Sequence, residues 1–275
     1  MFASPFRSGI AVLAAAVIVG LLPAAPAAGQ SGGTALPEKY EFVIGGFNAT
    51  FSTVFGVKLS TSDNVPLVDF ERDLGSPDSN MVFRGSAAVR FGKHQFRAGY
   101  YKTTRESTTT LDRQIVWGDQ VFNIGASVSS SFGTSFPELD YTYWFMASPR
   151  VALGGTLGVT LFGVEAGVNG AINARSGSKQ VDTSAIVPLF GLEFRSLPAT
   201  WLVVKAGGGY INDFNGTSVW RLGAAVEPRI YKSLWAGIAF DAIKFNVSKD
   251  AALFDLNAAG NYRVGGVQVY ARFAF

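Results

Sequence analysis

The chain has no cysteine and a single histidine, His94. Without thiols there is no disulfide framework and no thiolate metal site. One imidazole excludes a multi-histidine metal centre. Charge is scarce as well: 16% of the 275 residues are charged, against roughly 25% in soluble domains. The formal charge of +3 is a small surplus, and no Lys/Arg cluster forms the basic footprint that nucleic acid requires. Nucleic acid is therefore not an expected partner. No run reaches the roughly 18 to 20 apolar residues of a membrane-spanning helix.

Glycine and phenylalanine, in contrast, are abundant, at 32 and 23 residues, and the mean hydropathy is +0.23. A soluble protein so poor in charge would struggle to cover its surface. A protein whose outer face meets lipid would not.

The one sustained apolar run, Ile10 to Leu22, is about 13 residues long, too short to span a bilayer. Arg7 precedes it, and Pro23 and small residues follow, with Ala25-Pro26-Ala27 as an A-x-A match. That order reads as a signal peptide over residues 1–28, cleaved after Ala27 or within two residues of it. Residues 29–38 form a polar lead-in, expected in the periplasm.

From residue 39 nearly every segment has period two, punctuated by Gly, Pro, Asn and Ser, and no long stretch has helical period. Met81, Phe83, Val89 and Phe91 share one face, while Arg84 and Arg90 share the other. Leu139, Tyr141, Tyr143 and Phe145 alternate with Asp140 and Thr142. A soluble β-sandwich would also alternate. Here, however, the non-apolar face is Gly, small residues and isolated charges, and aromatics gather near strand ends as in the girdles of a membrane barrel. Connections also alternate short and long. Short turns fall at Gly92, Ser148-Pro149, Leu197 to Ala199 and Tyr231 to Ser233, and longer connections at 61–79, 107–131, 163–182, 213–216 and 248–251. The expected fold is all-β: a transmembrane antiparallel up-and-down barrel over 39–275. It has ten strands at roughly 40–60, 80–91, 94–106, 130–147, 150–162, 183–196, 200–212, 217–230, 234–247 and 252–275, with eight and twelve as alternatives. Asp69 to Leu74 reads as a short strand or a helical turn, and 113–128 as an outer hairpin or two further wall strands.

In the last strand, Val267, Val269, Ala271, Phe273 and Phe275 share one face. Upstream, Tyr262 and Val264 continue an apolar face with opposite parity. A β-bulge at Gly265-Gly266 accounts for the shift; a hairpin there would make the strand number odd. This ending resembles that of Gram-negative outer-membrane barrels, which typically finish in an aromatic residue after alternating apolar positions. The resemblance implies that Val267, Val269, Phe273 and Phe275 are read by the barrel-assembly machinery. It also implies that the chain sits among outer-membrane lipids. Glu71-Arg72-Asp73-Leu74-Gly75 and Gly118-Asp119-Gln120-Val121-Phe122 resemble outer-loop segments of small barrels of this class, for which the resemblance brings no activity.

Parity assigns the lumen Arg84, Arg90, Arg97, Arg105, Arg195, Lys205, Arg221, Arg229 and Arg272, against Asp140, Glu193, Glu227 and Asp241. Two interiors fit this basic surplus. One is a side-chain-filled, salt-bridged lumen in a structural or binding barrel, with functional outer loops. The other is a narrow conduit for small anionic solutes. Near eight strands side chains just fill a barrel, which favours the first. Chemistry is poorly supported. His94 falls at a turn with no acid partner fixed nearby, Gly207-Gly208-Gly209 follows a strand but opens no helix, and a carboxylate pair would need a fixed spacing. A lipid-modifying enzyme is the least favoured reading, and no cofactor is expected. The loops at 107–131 and 163–182 are rich in Ser, Thr, Gly and Asn. The first also holds Ile115, Val116, Trp117, Val121 and Phe122, a contact patch or a hairpin extending the wall.

Overall fold

Alternation along the chain resolves into one closed sheet. The computed structural model describes residues 34–57, 65–118, 120–172, 175–212, 217–248 and 258–275; the signal peptide read at 1–28 lies outside them. The strands are β1 (Tyr40–Val57), β2 (Val68–Asp69), β3 (Ser79–Phe91), β4 (His94–Thr110), β5 (Ile115–Trp117), β6 (Gln120–Phe122) and β7 (Ser127–Ala147). They continue as β8 (Val151–Ile172), β9 (Arg175–Ala199), β10 (Leu202–Asn212), β11 (Ser218–Tyr231), β12 (Leu234–Val247) and β13 (Ala258–Ala274). Apart from β2, β5 and β6, each pairs antiparallel with the next in sequence, and β13 pairs back onto β1. The result is a closed ten-stranded up-and-down barrel. Closure leaves no sheet edge unpaired, which is the condition for strands to lie in lipid. No helix among the described residues is long and apolar enough to cross a membrane.

Both ends of the barrel wall meet at one rim, where Tyr40 N donates to Phe275 O at 2.8 Å. The short connections share that rim: Gly92-Lys93, Ser148 to Arg150, Thr200-Trp201 and Lys232-Ser233. Gly92 takes a left-handed φ of 61° there, which a residue without Cβ adopts at no steric cost. The third turn lies beyond the Leu197 to Ala199 position read from the sequence, because β9 runs on to Ala199. The register shifts at Tyr143/Met146, Leu202/Val204 and Arg229/Tyr231 also fall at this rim, where bulges typically end pairing in barrels.

At the opposite, loop end one reading is corrected and two that were left open are decided. In the segment 163–182, read as a loop, residues 163–172 of β8 and 175–182 of β9 stay paired, from Gly163↔Ser184 up to Ile172↔Arg175. Within 113–128, Ile115–Trp117 and Gln120–Phe122 form the outer-hairpin alternative, β5 and β6, paired with each other and not with the wall, while Ser127 and Val128 already belong to β7. Asp69 to Leu74 is the end of β2 followed by a turn.

The last strand is single, but it has no bulge. It pairs in unbroken register with β1 from Glu41↔Ala274 to Val57↔Ala258, and likewise with β12. Tyr262 and Val264 are buried inside the barrel, while Val267, Val269 and Phe273 face outward. The parity change is thus a change of environment within the lumen, not of register. A Cβ at Gly266 would overlap the Asn48 carbonyl of β1, so the glycine pair allows close strand approach.

The outer face is a continuous apolar band, with Phe83 77% and Leu192 65% exposed. Soluble monomers rarely expose apolar patches above a few hundred Å². Tyr40, Phe42 and Phe275 stack at the short-turn rim, with Phe275 5.7 Å from Tyr40 and 6.3 Å from Phe42 between ring centroids. Beside them His94 Nδ1 lies 2.7 Å from the Tyr141 hydroxyl and its ring packs on Tyr143.

Candidate functional site: a charged chamber between two apolar covers

The lumen is divided by chemistry. In the loop half, inward positions carry Phe51, Phe55, Phe132, Phe136, Phe162, Phe245 and Tyr262, all buried in one cluster. Phe162 stacks on Phe245 at 4.3 Å, and Tyr101 on Phe136 at 4.5 Å. Onto this floor the first loop lays Phe70 and Leu74, and the β5–β6 hairpin lays Trp117 and Phe122. Phe70 lies 4.8 Å from Phe132 and 5.4 Å from Trp117, both edge-on.

Polar contacts fix this cover. Glu71 accepts from Thr53 N at 2.7 Å and pairs with Arg105 at 2.5 Å. Arg105 also donates to Pro77 O and to the Thr53 hydroxyl, and its guanidinium lies 4.4 Å from the Phe51 ring centroid. Further out, Asp73 is held by Arg72 and Arg113. Burial raises the Asp73 pKa, but hydrogen bonds from Arg113 and Arg72 outweigh it and hold the carboxyl at about 2.

The other cover is the lead-in. Ala35 and Leu36 pack on Trp144, Ala152 and Leu197 across the short-turn mouth. Ala35 N donates to Ser148 O at 2.7 Å, and Arg90 Nε to Pro37 O at 2.5 Å.

Between the covers lies a chamber of about 220 Å³. Glu138 bridges Arg84 and Arg221, at 2.7 Å each, and Asp241 takes the other arm of Arg84 at 3.1 Å. Arg97 pairs with Glu193 at 3.0 Å. Glu227 takes Lys205 at 2.9 Å, Arg272 at 2.8 Å and the Tyr270 hydroxyl at 2.6 Å. Glu38 reaches in from the lead-in to Arg195 and Arg272, and Glu41 meets the same two arginines. Desolvated charges persist only when paired in this way.

Glycine makes the room. In the strand register Glu138 faces Gly99, Asp140 faces Gly158 and Asp241 faces Gly223. A Cβ at Gly99 would overlap Glu138 Oε1, one at Gly158 would overlap Asp140 Oδ1, and one at Gly223 would stand 2.6 Å from Asp241 Oδ1. Each of these carboxylates thus lies flat over a bare stretch of wall.

Of the residues assigned to the lumen by parity, Arg84, Arg97, Asp140, Glu193, Arg195, Lys205, Arg221, Glu227, Asp241 and Arg272 surround the chamber. Three stand elsewhere. Arg105 belongs to the loop-end cover. Arg90 ties the lead-in to the rim, and Arg229 is at the rim with its guanidinium 4.4 Å from the Trp235 ring centroid. Glu38, Glu41 and Glu138 were not in the parity set and also line the network. Two of them were readable: Glu138 shares the parity of Asp140, and Glu41 opposes Phe42 and Ile44. The basic lumen expected from the sequence is therefore close to balanced, with six cations (Arg84, Arg97, Arg195, Lys205, Arg221, Arg272) and seven carboxylates (Glu38, Glu41, Glu138, Asp140, Glu193, Glu227, Asp241). Among the described residues no group of three or more His, Asp or Glu is placed to hold a metal ion. Gly207, Gly208 and Gly209 are ordinary members of β10, paired on both sides.

No family model and no curated protein sequence matches the chain. Solved structures do. The translocator domain of the autotransporter NalP from Neisseria meningitidis is similar over 98% of this chain and 95% of its own, with a TM-score of 0.45 and 11% identity. The Pseudomonas putida toluene transporter TodX is similar over 87% and 91%, with a TM-score of 0.37 and 8% identity. The attachment invasion locus protein Ail of Yersinia pestis is similar over 86% and 100%, with a TM-score of 0.37 and 10% identity. The barrel assignment rests on strand closure and not on these likenesses.

Proposed function

We propose that the chain is an outer-membrane β-barrel of structural and binding type. Its wall sits in lipid, its lumen is closed and its loop end presents contact surface outward. The lipid partner follows from the apolar outer band. Assembly by the barrel machinery follows from the outward Val267, Val269, Phe273 and Phe275.

One observation carries the reading: the lumen is filled twice over. Stacked aromatics borne by the wall itself fill the loop half, and the lead-in crosses the short-turn mouth. Such a lumen supports no steady ion path. An open conduit is the second reading, favoured only by the chamber between the covers, and a chamber without a through-path conducts nothing.

The test is refolding of the full chain into planar bilayers, beside a variant with residues 65–78 replaced by a short turn. Neither is expected to show conductance steps, because the wall aromatics remain after the loop is removed. Steady steps in the wild type would replace this reading with the conduit. Steps in the deletion variant alone would make loop 1 a removable plug of a pore.

A further inference from the structure

The chamber has one carboxylate too many. Asp140 is 9% exposed and lines the cavity, yet among the described residues it takes no hydrogen bond and no ion pair. Its cross-strand neighbour on β4 is Arg97, but Arg97 turns both terminal nitrogens to Glu193, at 3.0 and 3.4 Å. Gly158, on the other side, supplies space and no donor. Should Arg97 swing to Asp140 instead, Glu193 would lose its partner. The excess of one negative charge belongs to the set and survives any exchange of partners. An unpaired carboxylate that faces a cavity offers a place for one positive charge.

The space around Asp140 indicates what carries that charge. A cavity of about 220 Å³ exceeds a bare ion, and a cavity of roughly 150 Å³ already takes a benzene ring. Part of the lining is apolar, with Val43, Leu189, Ala225 and Ala239 facing the same space. We infer that the chamber is a binding site for a small organic monocation, a primary amine on an apolar body about the size of a phenyl group. Its ammonium donates to Asp140 and its body lies against the apolar lining. The ligand enters at the short-turn mouth, where Pro37 and Trp144 border the cavity. This inference goes beyond the closed-barrel reading and rests on the cavity and its unpaired carboxylate. The two fail separately, since conductance tests closure and equilibrium binding tests the site.

The experiment is titration calorimetry on the full chain refolded in detergent, using phenethylamine at neutral pH. Phenylethanol and phenylacetate serve as the neutral and anionic probes of the same shape. Saturable binding of the amine alone is expected. In Asp140→Asn, affinity should fall roughly tenfold or more, the scale of one lost charge-assisted hydrogen bond, while heat-modifiable gel mobility stays that of the folded barrel. If Asp140→Asn does not fold, Gly158→Ala, which pushes the carboxylate out of its place, should weaken binding in the same direction. The inference is overturned by no binding of the amine or by equal binding of phenylacetate. Undiminished affinity in a folded Asp140→Asn barrel, or displacement of the amine by an equal concentration of sodium chloride, would overturn it too.

Discussion

At the scale of single residues, Glu138 holds the chamber together, because it is the one carboxylate shared by Arg84 and Arg221. Replacing it by Gln keeps the shape and leaves two half-buried guanidiniums with one counter-charge fewer. Breaking a buried pair from one side costs about 3 to 5 kcal/mol. Glu138→Gln should therefore lower unfolding stability by that order in urea titrations of the refolded barrel. Glu165→Gln, which removes an exposed pair with Lys102, should cost no more than ~1 kcal/mol. Gly99→Ala should also destabilise, by about 1 to 3 kcal/mol as for other overpacked sites, since its Cβ would occupy the place of Glu138 Oε1. The two effects should be far from additive in the double variant, because both displace the same carboxylate. Additivity would show that Glu138 does not lie over Gly99.

At the scale of elements, the wall was legible and the interior was not. Alternation located all ten wall strands, because one face of each meets lipid and the other does not. The same assumption, that apolar residues face outward, misread β13 where it enters the aromatic half of the lumen. Tyr262 and Val264 became a bulge in the reading of β13, although their pairing with β1 is continuous. Composition misled in the other direction at β8 and β9, where polar and small residues concealed a paired hairpin. What no periodicity could supply is the folding-back of loop 1, which depends on long-range partners: Arg105 for Glu71 and Arg113 for Asp73. That latch carries a pH prediction. The Asp73 carboxyl is held at about 2, below its ordinary 3.8, so its contribution is complete above the ordinary value and is lost as pH falls through the native one. Hydrogen-exchange protection of residues 67–76, corrected for intrinsic rates, should stay constant from neutral pH down to roughly 4 and decline toward 2. Asp73→Asn should lose it at neutral pH. Loss of protection already between pH 7 and 5 would mean that another group holds the loop.

At the scale of the whole molecule, the question is what field the lumen carries. Counting only the charges that parity assigned gives nine basic and four acidic groups, a self-repelling interior that salt would stabilise. The folded barrel adds Glu38, Glu41 and Glu138 and moves Arg90, Arg105 and Arg229 out of the chamber. The chamber is then internally compensated to within one charge. Buried pairs at contact distance are screened little by mobile ions, whereas exposed charges lose most of their interaction within a Debye length of about 3 Å at 1 M salt. The urea midpoint of the refolded barrel should accordingly change little between roughly 0.05 and 1 M sodium chloride. The same titration on Glu138→Gln, in which Arg221 loses its contact carboxylate, should show salt recovering part of the lost stability if ions reach the cavity, and none if the covers exclude them. A wild-type midpoint that climbs steadily with salt would return the lumen to the basic field read from the sequence, and the anion conduit with it.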